Sequence, residues 1–360
     1  VRYPTIDILR TLAIFLMVLV HFSENLSGLV WQFAGFGAPH FALLTGLSYR
    51  IWLDSQERKG RSEDEISKIT TRRGLFLFGL GFAFNILVWM PEDVFNWDVL
   101  TLIGTSILLL NWARRVPPLV LVVACLLMFG LSPALRTLAD YPAFWTDDYF
   151  DPDMTLADIL LGFSVTGYFP LIPWLSYPFV GFLIGGLLYD QPDVERRPWK
   201  QLAVLGAVLV VSGLLAVRYR TSMPEAIGTG FFTGWTMFPP SSEYLLTTIG
   251  TGLLTISLGH RWIDLNPVVP QESWWLTIAT TFSRHSLTIY LLHHIAHLWP
   301  LWIYGAYAGS EPTEFWRVAM PATASVPFAV LFLVLCFFLL RWMDRTGRGG
   351  AEKWMRWLCD

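Results

Sequence analysis

Long apolar runs alternate with short polar or charged stretches along this chain, and the runs are too long for the half-buried helices of a soluble domain. Ten are long enough, or nearly so, to span a bilayer: 6–22, 31–52, 73–90, 98–112, 117–133, 168–189, 201–217, 243–259, 277–300 and 320–342. Several fall short of the ~20 residues that a straight span needs, so the helices are expected to run on into their polar flanks. Pro39 in the second segment and Pro170, Pro173 and Pro178 in the sixth predict kinks or a re-entrant start. The third helix is expected to open at Thr70-Thr71-Arg72-Arg73-Gly74, and Asp98 to cap the start of the fourth. Glycines 74, 79, 81, 181, 185 and 186 predict close helix contacts. The pattern is that of an all-α polytopic integral membrane protein of about ten transmembrane helices, organised as a single domain over 1–360.

The first segment departs from a plain anchor. Asp7, Arg10, His21 and Glu24 recur at spacings of 3, 11 and 3, and Ile14 and Met17 fill the gap, so all six share one helical face. A charged side chain in hydrocarbon costs roughly 2.5 kcal/mol or more, so such residues face a bundle interior and mark function. Asp7 and His21 are 14 residues apart, about 21 Å of helical rise. The charges also argue against a cleaved signal peptide, as does the lack of a small-x-small site after the run. Because the chain starts at Val1, native residues before it are expected.

Composition agrees with a membrane protein: 54% hydrophobic residues, only 15% charged, and a mean hydropathy of +0.48. The net charge of −3 offers nothing for nucleic acid. Cys125, Cys336 and Cys359 have neither pairing nor metal spacing. If the N-terminus is cytoplasmic and every segment crosses, twenty of the 25 Lys and Arg fall inside and four outside, with Arg284 inside segment nine. That bias predicts ten crossings with both termini cytoplasmic, in the cytoplasmic membrane. The longest outer connections, 134–167 and 218–242, are candidates for lids or substrate collars.

Segment nine repeats the anomaly of segment one. Ser286, Tyr290, His293 and His297 share a face at spacings of 4, 3 and 4, and the two histidines fall in the outer half, near the level expected for His21. Neutral imidazole is a competent general base near pH 7. His293 and His297 also have metal-ligand spacing, but no Cys, Asp or Glu accompanies them on that face, and no metal is expected. Arg72 and Arg73 have the permanent, bidentate charge that suits phosphate. No P-loop, dinucleotide fingerprint, HExxH or GxSxG occurs. The residues alone leave three classes open: an acyl-transfer enzyme, a proton- or solute-coupled transporter using the seam as a relay, and a haem or metal redox protein.

The opening stretch RYPTIDILRTLAIFLMVLVHF resembles the first helix of the heparan-α-glucosaminide N-acetyltransferase catalytic-domain family, bacterial relatives included, within the transmembrane acyltransferase superfamily. FGAPHFALLTGLSYRIW, TRRGLFLFGLGF, DVLTLIGTSILLL, YFPLIPWLSYPFVGFLIGG and SRHSLTIYLLHHI follow in the family's order, while Thr11 stands where Gly is usual. The resemblance implies an acyl-CoA donor, acetyl-CoA above all, reached from the cytoplasm. It implies an extracytoplasmic hydroxyl or amine acceptor, expected to be a carbohydrate. Arg10, Arg72 and Arg73 would then hold CoA phosphates, with Asp7 pairing Arg10. His21 would be base or transient acyl carrier, with His293 and Glu24 as further catalytic candidates. His40, Tyr290, His297 and Ser286 would line the site or support it. Membrane lipids are the remaining expected partners, and a homodimer is compatible.

Overall fold

The computed structural model describes residues 2–89, 91–190, 197–228, 230–266 and 273–360; Arg196, one of the cations counted inside, lies outside them. Each apolar segment is helical. In chain order the helices are α1 (Pro4–Ser27), α2 (Gly37–Arg58), α3 (Glu63–Val88), α4 (Val99–Ala113), α5 (Pro118–Leu138), α6 (Leu156–Leu161), α7 (Leu171–Trp174) and α8 (Ser176–Leu188). They continue with α9 (Trp199–Tyr219), α10 (Glu225–Gly228), α11 (Ser242–Gly259), α12 (Trp274–Arg284), α13 (Ser286–Ala308), α14 (Ala322–Thr346) and α15 (Ala351–Cys359). A hairpin of two short strands, β1 (Trp145–Thr146) and β2 (Tyr149–Phe150), interrupts the helices. Among the described residues six stretches are long and apolar enough to cross a membrane: α1, α3, α5, 156–188, 199–222 and α14.

Helix starts follow local chemistry. Asp98 caps α4 as expected, its carboxylate accepting from the N–H groups of Leu100 and Thr101. α3 begins seven residues before the expected Thr70, because Ser62 and Glu65 form a reciprocal capping box that lengthens the helix into its charged flank. Arg72 and Arg73 therefore sit within the helix instead of at its mouth.

The chain gathers into two compact units, 1–38 with 263–358, and 39–262. In the first, α1 packs against α12, α13 and α14. Phe15 meets Phe282 edge-on at 4.9 Å between ring centroids, and Phe22 lies 5.1 Å from Phe332. α1 ends at Gly28, whose φ of 68° suits glycine; its N–H reaches Glu24 O and that of Leu29 reaches Ser23 O. The loop after α13 satisfies two more terminal carbonyls, through Arg317 N–H to Asn25 O at 2.8 Å and Met320 N–H to Leu26 O at 3.0 Å.

Segment nine is not one helix. It breaks at His285 (φ −114°, ψ 28°) into α12 and α13. The new N-terminus is satisfied from far along the chain: Glu352 of α15 accepts from Thr288 N–H at 3.0 Å and from its hydroxyl at 2.6 Å.

In the second unit α3 lies so close to α4 that a methyl on Gly104 would come within 2.5 Å of Phe78 N, and one on Gly74 within 2.7 Å of Leu108. Gly79, by contrast, faces open space. The 134–167 connection packs against α3 and Trp97: Phe144 and Phe150 are buried with Trp97, and Phe78, Phe82, Trp145, Phe163 and Tyr168 surround them. The 218–242 connection is tied down by buried Glu243, which accepts from Gly234 N–H at 2.7 Å.

Candidate active site

The polar residues of α1 fall at its two ends. The fully buried face runs through Asp7, Thr11, Ile14, Val18, Phe22 and Asn25, so the stripe of Arg10, Met17, His21 and Glu24 lies half-buried along its margin. At the first end Arg2 makes an ion pair with Asp7, with Nη2 donating to Oδ1 at 3.0 Å. Ser283 of α12 stands between Asp7 and Arg10: its hydroxyl donates to Asp7 Oδ1 at 2.6 Å and accepts from Arg10 Nη1 at 3.0 Å. Thr11 anchors the same contact by donating to Ala279 O at 2.8 Å. A cavity of about 410 Å³ lies beside Arg2; Arg284, Arg348, Lys353 and Arg356 line it with Asp344 and Glu352.

At the other end α1 meets the histidines of α13. Nδ1 of His21 is 2.8 Å from Nε2 of His293, and the two rings are stacked at 5.1 Å between centroids. His293 is fully buried, and its own Nδ1 lies 3.1 Å from the carbonyl of Ile289 one turn back. A carbonyl only accepts, so Nδ1 of His293 carries the proton and its Nε2 presents a lone pair. His21 must then donate from Nδ1, which leaves its Nε2 as the basic atom. The backbone of α13 thus sets the tautomer of an imidazole on α1.

His297 is engaged differently. Its Nδ1 meets His293 O at 2.5 Å, and its Nε2 accepts from the Asn25 amide at 2.8 Å. His294, 2% exposed, completes the cluster; its ring centroid lies 4.0 Å from that of His293 and 4.7 Å from that of His21. Tyr290 stands edge-on to His293 and His294 at 5.6 and 5.7 Å. Glu24 accepts from Arg317 Nη2 at 3.4 Å, one turn beyond His21. Ser286, half-buried, opens α13 beside the break.

In the second unit, half-buried His40 lies in the first turn of α2. Arg72 is exposed on α3, and the guanidinium of Arg73 lies 4.9 Å over the Trp52 ring.

Sequence reading thus found His21, His293, His297 and Tyr290, which the structure brings together, and missed His294, Asn25 and Ser283. Asn25 had a signal: it stands four residues after His21, on the same side of the helix. His294 is next to His293 and so belongs to another face of α13, and Ser283 gains its role only by packing.

The family model for heparan-alpha-glucosaminide N-acetyltransferase, catalytic, matches residues 2–224, more than half of the chain. The match includes Arg10, His21, Arg72 and Arg73 and ends before the histidines of α13. No curated protein matches the chain.

Proposed function

The chain belongs to the heparan-alpha-glucosaminide N-acetyltransferase catalytic family and is a membrane protein of the acetyltransferase class, and from that premise we propose that it moves an acetyl group from cytoplasmic acetyl-CoA to a carbohydrate hydroxyl or amine across the cytoplasmic membrane. Ten crossings with both termini in the cytoplasm accompany this reading, supported by the clustering of Lys and Arg in alternate loops.

The observation that carries it is the hydrogen bond between His21 and His293. With Nδ1 committed as donor, His21 turns a basic Nε2 to the acceptor. That nitrogen takes the proton of the hydroxyl or amine as its heteroatom attacks the thioester carbonyl carbon. A C–O or C–N bond forms, the C–S bond breaks, and the proton passes from His21 to the departing thiolate, releasing CoA as the free thiol. His293 stabilises the imidazolium that forms on His21, and Ile289 O holds His293 in register, as the third group does in nucleophile–base–orienter arrangements. Tyr290 and His297 support the imidazoles, and Glu24, His40 and Ser286 are assigned to lining or support.

For the donor's phosphates we assign Arg10 and add Arg2, Arg284, Arg348 and Lys353, all of the first unit; Arg72 and Arg73 of the second unit are kept as separate phosphate candidates. The added four line a cavity whose cationic wall suits a polyphosphate. Asp7 holds Arg2 and, through Ser283, Arg10 in place.

The test is release of CoA thiol from acetyl-CoA by the purified protein in nanodiscs, over a panel of amino sugars and neutral sugars. Wild type is expected to turn over with at least one acceptor, and His21→Ala to lose about 10²–10⁴-fold, the usual worth of a positioned base. Turnover by His21→Ala at the wild-type rate would overturn the assignment.

A further inference from the structure

We propose that His21, His293 and His294 form a three-imidazole site for one transition-metal ion of the zinc class. Each ring offers one nitrogen, and the three nitrogens all lie within 4.8 Å of one another. A tetrahedral ion with Zn–N bonds of about 2.1 Å needs its nitrogens about 3.4 Å apart. The His21–His293 separation of 2.8 Å lies below that value and the 4.8 Å limit above it, so closing the shell calls for rotation of the imidazole side chains.

Three features fit a metal better than packing. The donor set is imidazole alone, which favours Zn²⁺, Co²⁺, Ni²⁺ or Cu²⁺ over Mg²⁺ and Ca²⁺. His293 is already held as a metal ligand usually is, its Nδ1–H on a backbone carbonyl and its Nε2 lone pair turned into the cluster. His293 and His294 are buried while His21 is only half-buried, so the site has a closed protein side and an approachable one, leaving room for a fourth ligand. The adjacent His297 is excluded because both of its nitrogens are spent, on His293 O and on Asn25. The pair with metal-ligand spacing, His293 with His297, thus gives way to His293 with its immediate neighbour and a residue from α1.

An ion on Nδ1 of His21 displaces the proton from that atom and moves it to Nε2. The nitrogen assigned above as the base then holds a proton and cannot take another. Bound ion and acetyl transfer exclude each other; this clause rests on the proposed function, whereas binding itself does not.

Co²⁺ supplies the probe, because its visible d–d bands report tetrahedral nitrogen ligation without any turnover. Purified protein in nanodiscs is expected to bind one Co²⁺ per chain, displaceable by Zn²⁺. Affinity should fall at least tenfold in His293→Ala and in the volume-conserving His294→Gln, and stay unchanged in His260→Gln in the second unit. Absence of saturable Co²⁺ or Zn²⁺ binding up to millimolar ion, or binding undiminished in both cluster variants, overturns the site. Zn²⁺ that binds at one per chain yet leaves CoA release unaffected keeps the site and overturns His21 as the base, so the two readings fail separately.

Discussion

The amide of Asn25 on α1 donates to Nε2 of His297 on α13 at 2.8 Å, deep in the first unit. This bond, with the one from Nδ1 to His293 O, commits both nitrogens of His297 to a structural task. Asn25→Ala leaves a buried ring nitrogen without its donor, which costs about 1–3 kcal/mol. Thermal unfolding in detergent should show a lowered midpoint for Asn25→Ala.

A sharper prediction concerns His293. If its role is to hold the tautomer of His21, His293→Ala should lower kcat by about 10–10³-fold and leave KM for acetyl-CoA close to wild type, because only transition-state charge on His21 loses its partner. A KM rise with kcat intact would show that His293 contacts substrate instead.

At the opposite end of α1, Ser283 joins Asp7 to Arg10. Ser283→Ala removes two hydrogen bonds to charged groups, each worth about 1.5–3 kcal/mol at most and less here because Arg10 is only half-buried. The expected outcome is a moderate loss of thermal stability. If Arg10 binds phosphate, the same variant raises KM for acetyl-CoA while kcat holds.

Glu352 reaches from α15 to the first turn of α13. Glu352→Ala uncaps the helix that carries the histidines, at about 0.5–2 kcal/mol. Limited proteolysis should then cut the C-terminal segment sooner, since α15 loses the two Glu352 bonds to Thr288 and keeps the one from Ala351 N–H.

Gly104 tests the packing of the second unit. A methyl there meets Phe78 N at 2.5 Å, and a backbone atom cannot swing aside. Gly104→Ala should destabilise by about 1–3 kcal/mol, the usual range for overpacking, whereas Gly79→Ala, in open space inside α3, should stabilise by about 0.5–1 kcal/mol in the same unfolding assay.

Much of this was legible along the chain because it is local. Apolar run length marked the long helices but not α6, α10 or α15, Asp98 announced its own cap, and histidines inside apolar runs marked α1 and α13 as the helices that carry chemistry. The Ser62–Glu65 capping box was equally readable and moves the start of α3 back to Glu63. The break at His285 was only half legible: the polar run Ser283–Ser286 interrupts the apolar pattern of 277–300, but the group that makes the new helix end good is Glu352, 64 residues after Thr288.

The sequence by itself determined the class of molecule, the helices and the kind of side chain each could bring, since hydropathy, capping and helical periodicity act within a few residues. Partnership belonged to the tertiary structure. Arg2 pairs with Asp7, Ser283 bridges Asp7 and Arg10, and His21 receives its tautomer from His293 while His297 is withdrawn by Asn25. Periodicity gives each of these residues a face on its own helix but not the neighbour it meets. A hydrogen bond depends on tenths of an ångström between elements some 270 residues apart, and only the packing of α1 against α12 and α13 sets that distance.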